Sequence, residues 1–393
     1  MPTERVPGTR IGVCIIADDL SGALDAAGPF ASRCGRFTAH WDRARAAEDP
    51  GAFVVLDTAT READVATAVA RTREAVRSLW AGRSWLAFKK IDSVWRGNTA
   101  AEVAAASVEG RFERVIIAPA FPEQGRVTRG GGQWIAEGDG WRCAVPDIAA
   151  ELRRFGIDVV AEAKASRATR AILCDAIEPQ DLDAIVARHR TPSARTLWCG
   201  TGGLARALAA RLASEAGTAA RAAERIGMHA PVLVVVGTDH PTSTGQAREL
   251  ERQPGVNCRT VDCATGVVQV SGAARELATA VLIRFEIPPG TTRSDAQRLI
   301  RHSLARETKR LSPPGLVVAT GGETLRAMSD ALGATRLDVL AEREPGIPIG
   351  TWTDGRWAGT PILSKSGGFG SQDLFVRVVA AASTPPHLTR NAR

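Results

Sequence analysis

Residues 11–26 read IGVCIIADDLSGALDA. An unbroken apolar run at 11–17 meets two adjacent carboxylates, Asp18 and Asp19, and a helix-forming segment begins at once. A run without polar alternation suits a strand buried on both faces, and such a strand leading straight into a helix is half of a βαβ unit. The layout recurs. Apolar runs at 52–57, 85–89, 115–118, 171–175, 196–200, 231–237, 280–285, 315–320 and 361–365 alternate with helical stretches rich in Ala, Leu and Arg. The expectation is an α/β protein whose mainly parallel sheets are covered by helices.

The 393 residues suffice for two such domains. LASEAGTAARAAERIGMHAP (212–231) breaks a helical pattern just before VLVVVGT opens a new strand series. The boundary is therefore expected near 225, giving domains 1–225 and 226–393. Hydrophobic residues at 44% and charged residues at 24% exclude a disordered chain. No apolar run reaches the roughly 20 residues of a membrane helix, and the polar start MPTERVPGTR argues against a signal peptide. A cytoplasmic location without membrane partners is expected.

The net charge of +7 allows a nucleic-acid reading. However, the arginines are scattered over helical stretches such as ARTREAVRSL (70–79) and LARALAARLA (204–213), no basic run is interleaved with aromatics, and Tyr is absent. Solvated helix faces and a small anionic substrate account for the charge without nucleic acid. Seven cysteines include no C-x-x-C pair and read as reduced core thiols. The six histidines show no metal-ligand spacing.

In open α/β sheets, ligands collect at the carboxyl ends of strands, where several unusual stretches lie. One of the pair Asp18 and Asp19 can cap the helix; a carboxylate here can also serve as a base on a hydroxyl or help hold a metal. In VVLDTATRE (54–62), Arg61 has the fork that grips a carboxylate bidentately. In FKKIDSVWRGN (88–98), strand alternation puts Lys90 and Asp92 on one face and Lys89 and Ser93 on the other. So many charges at one strand end are costly to bury unless they face a ligand or each other. APAFPEQGRVTRGGGQW (118–134) reads as a loop, either a plain connection or one able to close over a substrate. CGTGGLARAL (199–208), VVATGGETLRAM (317–328) and LSKSGGFGSQD (363–373) place glycine-rich turns after strands, where backbone N–H groups can meet an anion. None fits the P-loop, and no dinucleotide fingerprint follows the first strand. Together these features point to an acid in the N-terminal half and a nucleotide in the C-terminal half.

Nine stretches in order, ADDLSGALD, DTATR, KKIDSVWRGN, APAFPEQGR, CGTGGLA, VVVGTDHPTSTGQ, ATGGETLRA, PGIPIG and LSKSGGFG, resemble the four-carbon acid sugar kinase family across essentially the whole chain. The resemblance implies an ATP- and Mg²⁺-dependent kinase acting on the terminal hydroxyl of a tetronate-type acid, such as threonate, erythronate or a 3-oxo-tetronate. It implies acid binding by Asp18, Asp19, Arg61, Lys90, Asp92 and Arg96, with Asp19 or Asp92 serving as the carboxylate that orients the hydroxyl. For the nucleotide it implies Thr238, Gly321, Gly322, Glu323, Thr324, Gly367 and Gly368. It assigns no protein ligand to the metal and leaves homo-oligomerisation open. Ser21 stands where the family usually has Thr, and Thr238 where Ser is common. Val94-Trp95 replaces the more usual Thr-Leu, which would put a bulky ring beside the acid site. An oxidoreductase and a non-catalytic sugar-acid-binding regulator are the alternative readings of the same α/β pattern.

Overall fold

The computed structural model describes residues 12–49, 51–80, 85–166, 168–190, 195–216, 226–274 and 278–384. It divides into two compact units, Met1–Arg221 and Ala222–Arg393. The expected boundary at 225 and residue 11 of the first expected strand lie outside the described residues. Among the described residues, no helix is long and apolar enough to cross a membrane.

The first unit contains, in chain order, β1 (Gly12–Ala17), α1 (Leu20–Arg33), β2 (Phe37–His40), α2 (Arg43–Glu48), β3 (Phe53–Asp57), α3 (Val65–Leu79), β4 (Trp85–Lys90), α4 (Thr99–Glu109) and β5 (Arg114–Ala118). There follow β6 (Arg126–Arg129), β7 (Gly132–Glu137), β8 (Gly140–Val145), α5 (Ile148–Arg153), β9 (Val160–Ala161), β10 (Ala171–Leu173), α6 (Pro179–His189), β11 (Thr196–Gly200) and α7 (Gly202–Glu215). Its main sheet runs β2-β3-β1-β4-β11-β5-β10-β9, and its pairs are parallel. The burial of every residue of β1 explains the apolar run that opens the chain. Cys14 and Ile16 join Val76, Trp80, Val103 and Ile117 in one apolar cluster. On α1, Phe30 packs against Phe37 at 5.9 Å and edge-on against Phe88 at 6.3 Å between ring centroids.

The expected loop at 118–134 is instead a short 3₁₀ turn (Pro122–Gln124) followed by β6 and β7, which belong to a separate antiparallel sheet β6-β7-β8. Its glycine triplet is a hairpin corner. Gly130 and Gly131 have φ of 59° and 75°, a region glycine enters without a Cβ clash. Both donate N–H bonds to the Asp175 carboxylate, at 2.7 and 3.0 Å.

The second unit contains β12 (Val232–Val236), α8 (Pro241–Glu251), β13 (Val256–Asp262), β14 (Val268–Gly272), β15 (Ala280–Glu286), α9 (Arg293–Arg310), β16 (Leu316–Thr320) and α10 (Gly322–Leu332). It closes with β17 (Arg336–Glu344), β18 (Ile347–Trp352), β19 (Pro361–Lys365) and α11 (Leu374–Ser383). The order is β14-β13-β15-β12-β16-β19-β18-β17. The strands from β13 to β19 in that order are parallel, flanked by antiparallel partners at β14 and at β18-β17. This puts the carboxyl ends of β12, β16 and β19 side by side.

Candidate functional site

In the first unit, the ends of β1, β3 and β4 converge. Asp19 is the N-cap of α1, with extended backbone (φ −147°, ψ 159°). Its Oδ1 accepts from the Gly22 N–H at 2.8 Å and its Oδ2 from the Ser21 hydroxyl at 2.8 Å. The N–H groups of Thr60 and Arg61 donate to the Asp18 carbonyl at 3.0 and 3.2 Å, pinning the loop after β3 against the end of β1. Gly97 (φ 71°) lies so close to that loop that an added Cβ would sit 2.7 Å from the Arg61 carbonyl. The Asn98 amide then donates to the carbonyls of Thr60 and Ala63 at 2.9 and 2.8 Å. Ala59 and Trp95 adopt left-handed φ of 50° and 66°, conformations that persist only where the surroundings over-determine them.

The side chains form one ionic network. Arg61 Nε and Nη2 donate to Asp18 at 2.7 and 2.9 Å. Its Nη1 lies 2.7 Å from Asp19 and its Nη2 3.6 Å from Asp92. Asp92 accepts from the backbone N–H groups of Val94 and Arg96 at 3.0 Å each, and from Arg96 Nη2 at 2.7 Å. Burial alone would raise the Asp18 and Asp92 carboxyls. Arg61 outweighs it at both, helped by Lys89 and Lys90 at Asp18 and by Arg96 at Asp92, so both are held below the usual carboxylate range. The sequence expectation that Arg61 forks a substrate carboxylate is revised by this geometry: its fork is closed on Asp18, and its side chain is 14% exposed. Arg96, with 54% of its side chain exposed, is the guanidinium that faces outward. Both Asp18 and Asp19 are buried; Asp19 caps the helix, and Asp18 is the anchor of Arg61.

Two lysines flank this network. Lys90 Nζ donates to the Ile91 carbonyl at 2.8 Å and stands 3.6 Å from Asp25 on α1. Burial raises the Asp25 carboxyl despite Lys90. Lys89, fully buried, pairs with Glu102 on α4 at 2.7 Å. The alternation expected for these lysines is therefore seen, although β4 stops at Lys90. Trp95 is a correction. Its ring belongs to the apolar cluster with Trp80, Val103 and Ile148, so it packs into the core of the unit and not against the acid site. From the second sheet, Gln133 donates to the Ser93 carbonyl at 2.7 Å, and the burial-depressed Arg126 feels Asp92 as its main opposing charge. Asp25, Glu102 and Gln133 were not singled out in the sequence, because their partners lie far away along the chain.

In the second unit, Thr238 follows β12, Gly321 to Thr324 follow β16, and Gly367 and Gly368 follow β19. Gly321 is the N-cap of α10 with φ 85°, and its N–H donates to the Lys365 carbonyl at 2.8 Å. A Cβ on Gly367 would come within 3.2 Å of Thr238 Oγ1, so the first and last of these turns are in close approach. Glu323 faces Arg301 at 3.7 Å. Sequence reasoning passed over Lys365 and Ser243, which lie between the turns. Lys365 Nζ donates to Ser243 Oγ at 2.7 Å and to the Gly367 carbonyl at 3.2 Å. Ser243 Oγ donates to the same carbonyl at 2.6 Å. Lys365 was in plain sight within LSKSGGFG, but nothing local reveals its burial.

The described residues also bring together one group with metal-ligand chemistry, Glu162, Cys174 and His189, which sequence spacing hid. His189 Nε2 lies 2.6 Å from Glu162, while Arg114 Nη2 is 3.3 Å from His189 Nδ1 and Arg188 pairs with Glu162. A metal on Nε2 would leave a proton on Nδ1 facing the arginine donor, against the usual second-shell pattern. Burial raises the Cys174 thiol, so the cluster reads as a histidine hydrogen-bonded between Glu162 and Arg114.

A sugar-binding N-terminal domain family matches residues 13–147, and a nucleotide-binding C-terminal domain family matches residues 233–375. The chain is 33% identical to a D-threonate kinase of Cupriavidus necator, over 91% of this chain and 95% of that protein. It is 25% identical to a D-erythronate kinase of Heliobacterium modesticaldum (92% and 94% covered) and 28% identical to a 3-oxo-tetronate kinase of Methylobacterium radiotolerans (93% and 97% covered). A solved structure from Haemophilus influenzae, assigned to the DUF1537 family, shares the fold at a TM-score of 0.63 and 17% identity, covering 94% of this chain and all of that one. With two domain families in register and full-length relatives on both sides of the network and the glycine turns, the chain belongs to the four-carbon acid sugar (tetronate) kinase family.

Proposed function

We propose that this protein is an ATP-dependent kinase that phosphorylates the terminal (4-) hydroxyl of a four-carbon sugar acid, with D-threonate as the first candidate, acting in the cytoplasm in acid-sugar breakdown. Kinases named for D-threonate in three bacteria match 91–95% of the chain. The observation that carries the reading is the network of Asp18, Asp19, Arg61, Asp92 and Arg96 at the carboxyl ends of three adjacent strands.

Phosphoryl transfer is mostly positioning and charge stabilisation. Arg96 supplies the outward guanidinium for the substrate carboxylate, and Lys90, at the end of β4, is assigned to the hydroxyls. Asp92, held ionised by Arg61 and Arg96, is a poor proton store but a strong acceptor. It orients the attacking hydroxyl and takes its proton only as the new bond forms. Asp19 is tied to the α1 cap and Arg61 and fixes the geometry of the set. In the second unit, left-handed Gly321 and the close-packed Gly367 leave room that a Cβ would fill, which suits backbone N–H donation to phosphate oxygens by 321–324 and 367–368, with Thr238 alongside. ATP supplies the transferable phosphoryl group there. Mg²⁺ is expected to travel with the phosphates, held mainly by them and by water.

The test is ADP release by the purified protein with MgATP and a panel of four-carbon acids. Stoichiometric ADP with D-threonate, D-erythronate or a 3-oxo-tetronate supports the reading. Acid binding without ADP release would instead favour a regulator, and turnover that needs a nicotinamide would favour an oxidoreductase.

A further inference from the structure

Lys365 is a buried lysine that the mechanism above does not use. It is 1% exposed, and among the described residues no carboxylate lies within ion-pair distance of it. Its polar contacts are Ser243 Oγ and the Gly367 carbonyl, and its Nζ lies 5.6 Å from the centre of the Phe375 ring. An ammonium desolvated without a counter-ion is costly, so its place needs a reason. Its position supplies one. The Lys365 carbonyl holds the Gly321 N–H, and its side chain holds Gly367 and α8. One residue thus joins all three segments of the glycine-lined cradle.

The Gly367 carbonyl is one end of a planar peptide whose other end is the Gly368 N–H, and in a trans peptide the two point in opposite directions. Two donors, Ser243 Oγ and Lys365 Nζ, sit on the oxygen side. A cation there draws electron density toward the oxygen and makes the Gly368 N–H a stronger donor on the far side. Resting on the reading that this cradle takes a nucleotide, we propose that Ser243 and Lys365 form a polarising anchor that aims the Gly368 N–H at a nucleotide phosphate, and that Lys365 gains a proton when the polyphosphate binds.

The ionisation behaviour agrees. Burial, with no opposing charge, pulls the Lys365 ammonium down to about 7. The polar and charged groups of neighbouring elements are engaged elsewhere or exposed. His240 caps α8 through Thr242 N–H at 3.2 Å, Asp373 pairs with Arg377 at 3.2 Å, and Glu323 faces Arg301. Asp239, next to Thr238, is exposed. Lys365 is therefore largely neutral at pH 8 in the free protein, and an arriving polyanion favours its charged form. Lys365 and Ser243 act through the peptide and are positioning residues.

The experiment is calorimetric titration of the full-length protein with ADP and Mg²⁺ at pH 6 and pH 8, in buffers of different ionisation enthalpy. At pH 8, about one molecule in ten carries the ammonium before binding. If bound phosphate raises the group by roughly two units, uptake is about 0.8 proton per ADP, falling to about 0.1 at pH 6. Lys365→Met should abolish the uptake and weaken ADP binding at least about tenfold. Ser243→Ala, which keeps the lysine, should weaken binding while retaining the uptake. Binding without buffer dependence at pH 8, or uptake that persists in Lys365→Met, would overturn the role of Lys365 and leave the cradle standing. No binding of ADP at all would remove the nucleotide cradle itself, and this inference with it.

Discussion

Replacing Arg61 by Ala is the most informative perturbation of the first unit. The guanidinium is shared by Asp18, Asp19 and Asp92, at 2.7, 2.7 and 3.6 Å, and all three carboxylates are buried. Removing one partner of a buried pair leaves an uncompensated charge, at about 3–5 kcal/mol. For a unit of this size that is a fall of roughly 10 °C in the unfolding midpoint. The pH dependence gives the sharper signature. In the wild type, the folded-state values of Asp18 and Asp92 are depressed. Their contribution is fully present above the unfolded carboxylate value near 4 and is lost as pH falls below it. Without Arg61, burial dominates Asp18, and its folded value rises above the unfolded one. The variant should then be relatively more stable in mild acid and lose that stability as pH climbs through the new value. The assay is scanning calorimetry of the full chain from pH 5 to 8, following the transition of the N-terminal unit. The wild-type midpoint already declines somewhat through the raised Asp25 carboxyl, and the variant's should fall more steeply with rising pH. Arg61→Lys, which keeps a charge without the fork, should lie between them. A variant midpoint within about 2 °C of wild type, or two profiles that run parallel, would refute the claim that Arg61 neutralises this cluster.

Asp92→Asn should cut turnover with the true acid by more than roughly tenfold while ADP affinity, read by calorimetry, stays unchanged; equal loss of both would move Asp92 out of the acid site. Gly321→Val should raise the KM for ATP, since a β-branched residue at φ 85° is strained and its side chain enters the cradle; steady-state kinetics at fixed acid would check it. Trp95→Ala should lower stability by about 3–5 kcal/mol as a core truncation, while the KM for the acid, measured on the folded fraction, changes little. A large KM shift there would return the ring to the substrate site.

The parallel strands were legible because burial on both faces leaves an apolar run. All ten expected runs became strands, although 171–175 shortened to Ala171–Leu173. The strands that escaped notice are mostly antiparallel or at an edge. β14 (VQVSG) is largely exposed, and β17 (RLDVLAERE) mixes charged with apolar positions, so neither stands out from a loop. The hairpin of β6 and β7 was read as a loop because its Pro and Gly signals are those of a turn, and its strands have a core on one side only. Of the acid site, the residue types were legible but their pairing was not. Asp18 and Arg61 are 43 positions apart, and whether a guanidinium is available to a ligand depends on which carboxylate reaches it first. Trp95 misled for a related reason: the residues its ring packs with, such as Val103 and Ile148, are not its sequence neighbours. Lys365 and Ser243, separated by 122 positions, give no local hint that they share a carbonyl.

The adjacent lysines of β4 also encode alignment. Lys89 meets Glu102 on one side of the sheet and Lys90 meets Asp25 on the other. If β4 slid by one residue relative to its neighbours, every side chain would change sides. Lys90 would then arrive opposite Glu102, Ile91 would be pressed against Asp25, and a desolvated carboxylate would be stranded. The doubled lysine thus works as a two-pin key: only one registration of this central strand matches both locks, and that registration delivers Asp92 to the same corner as Asp18.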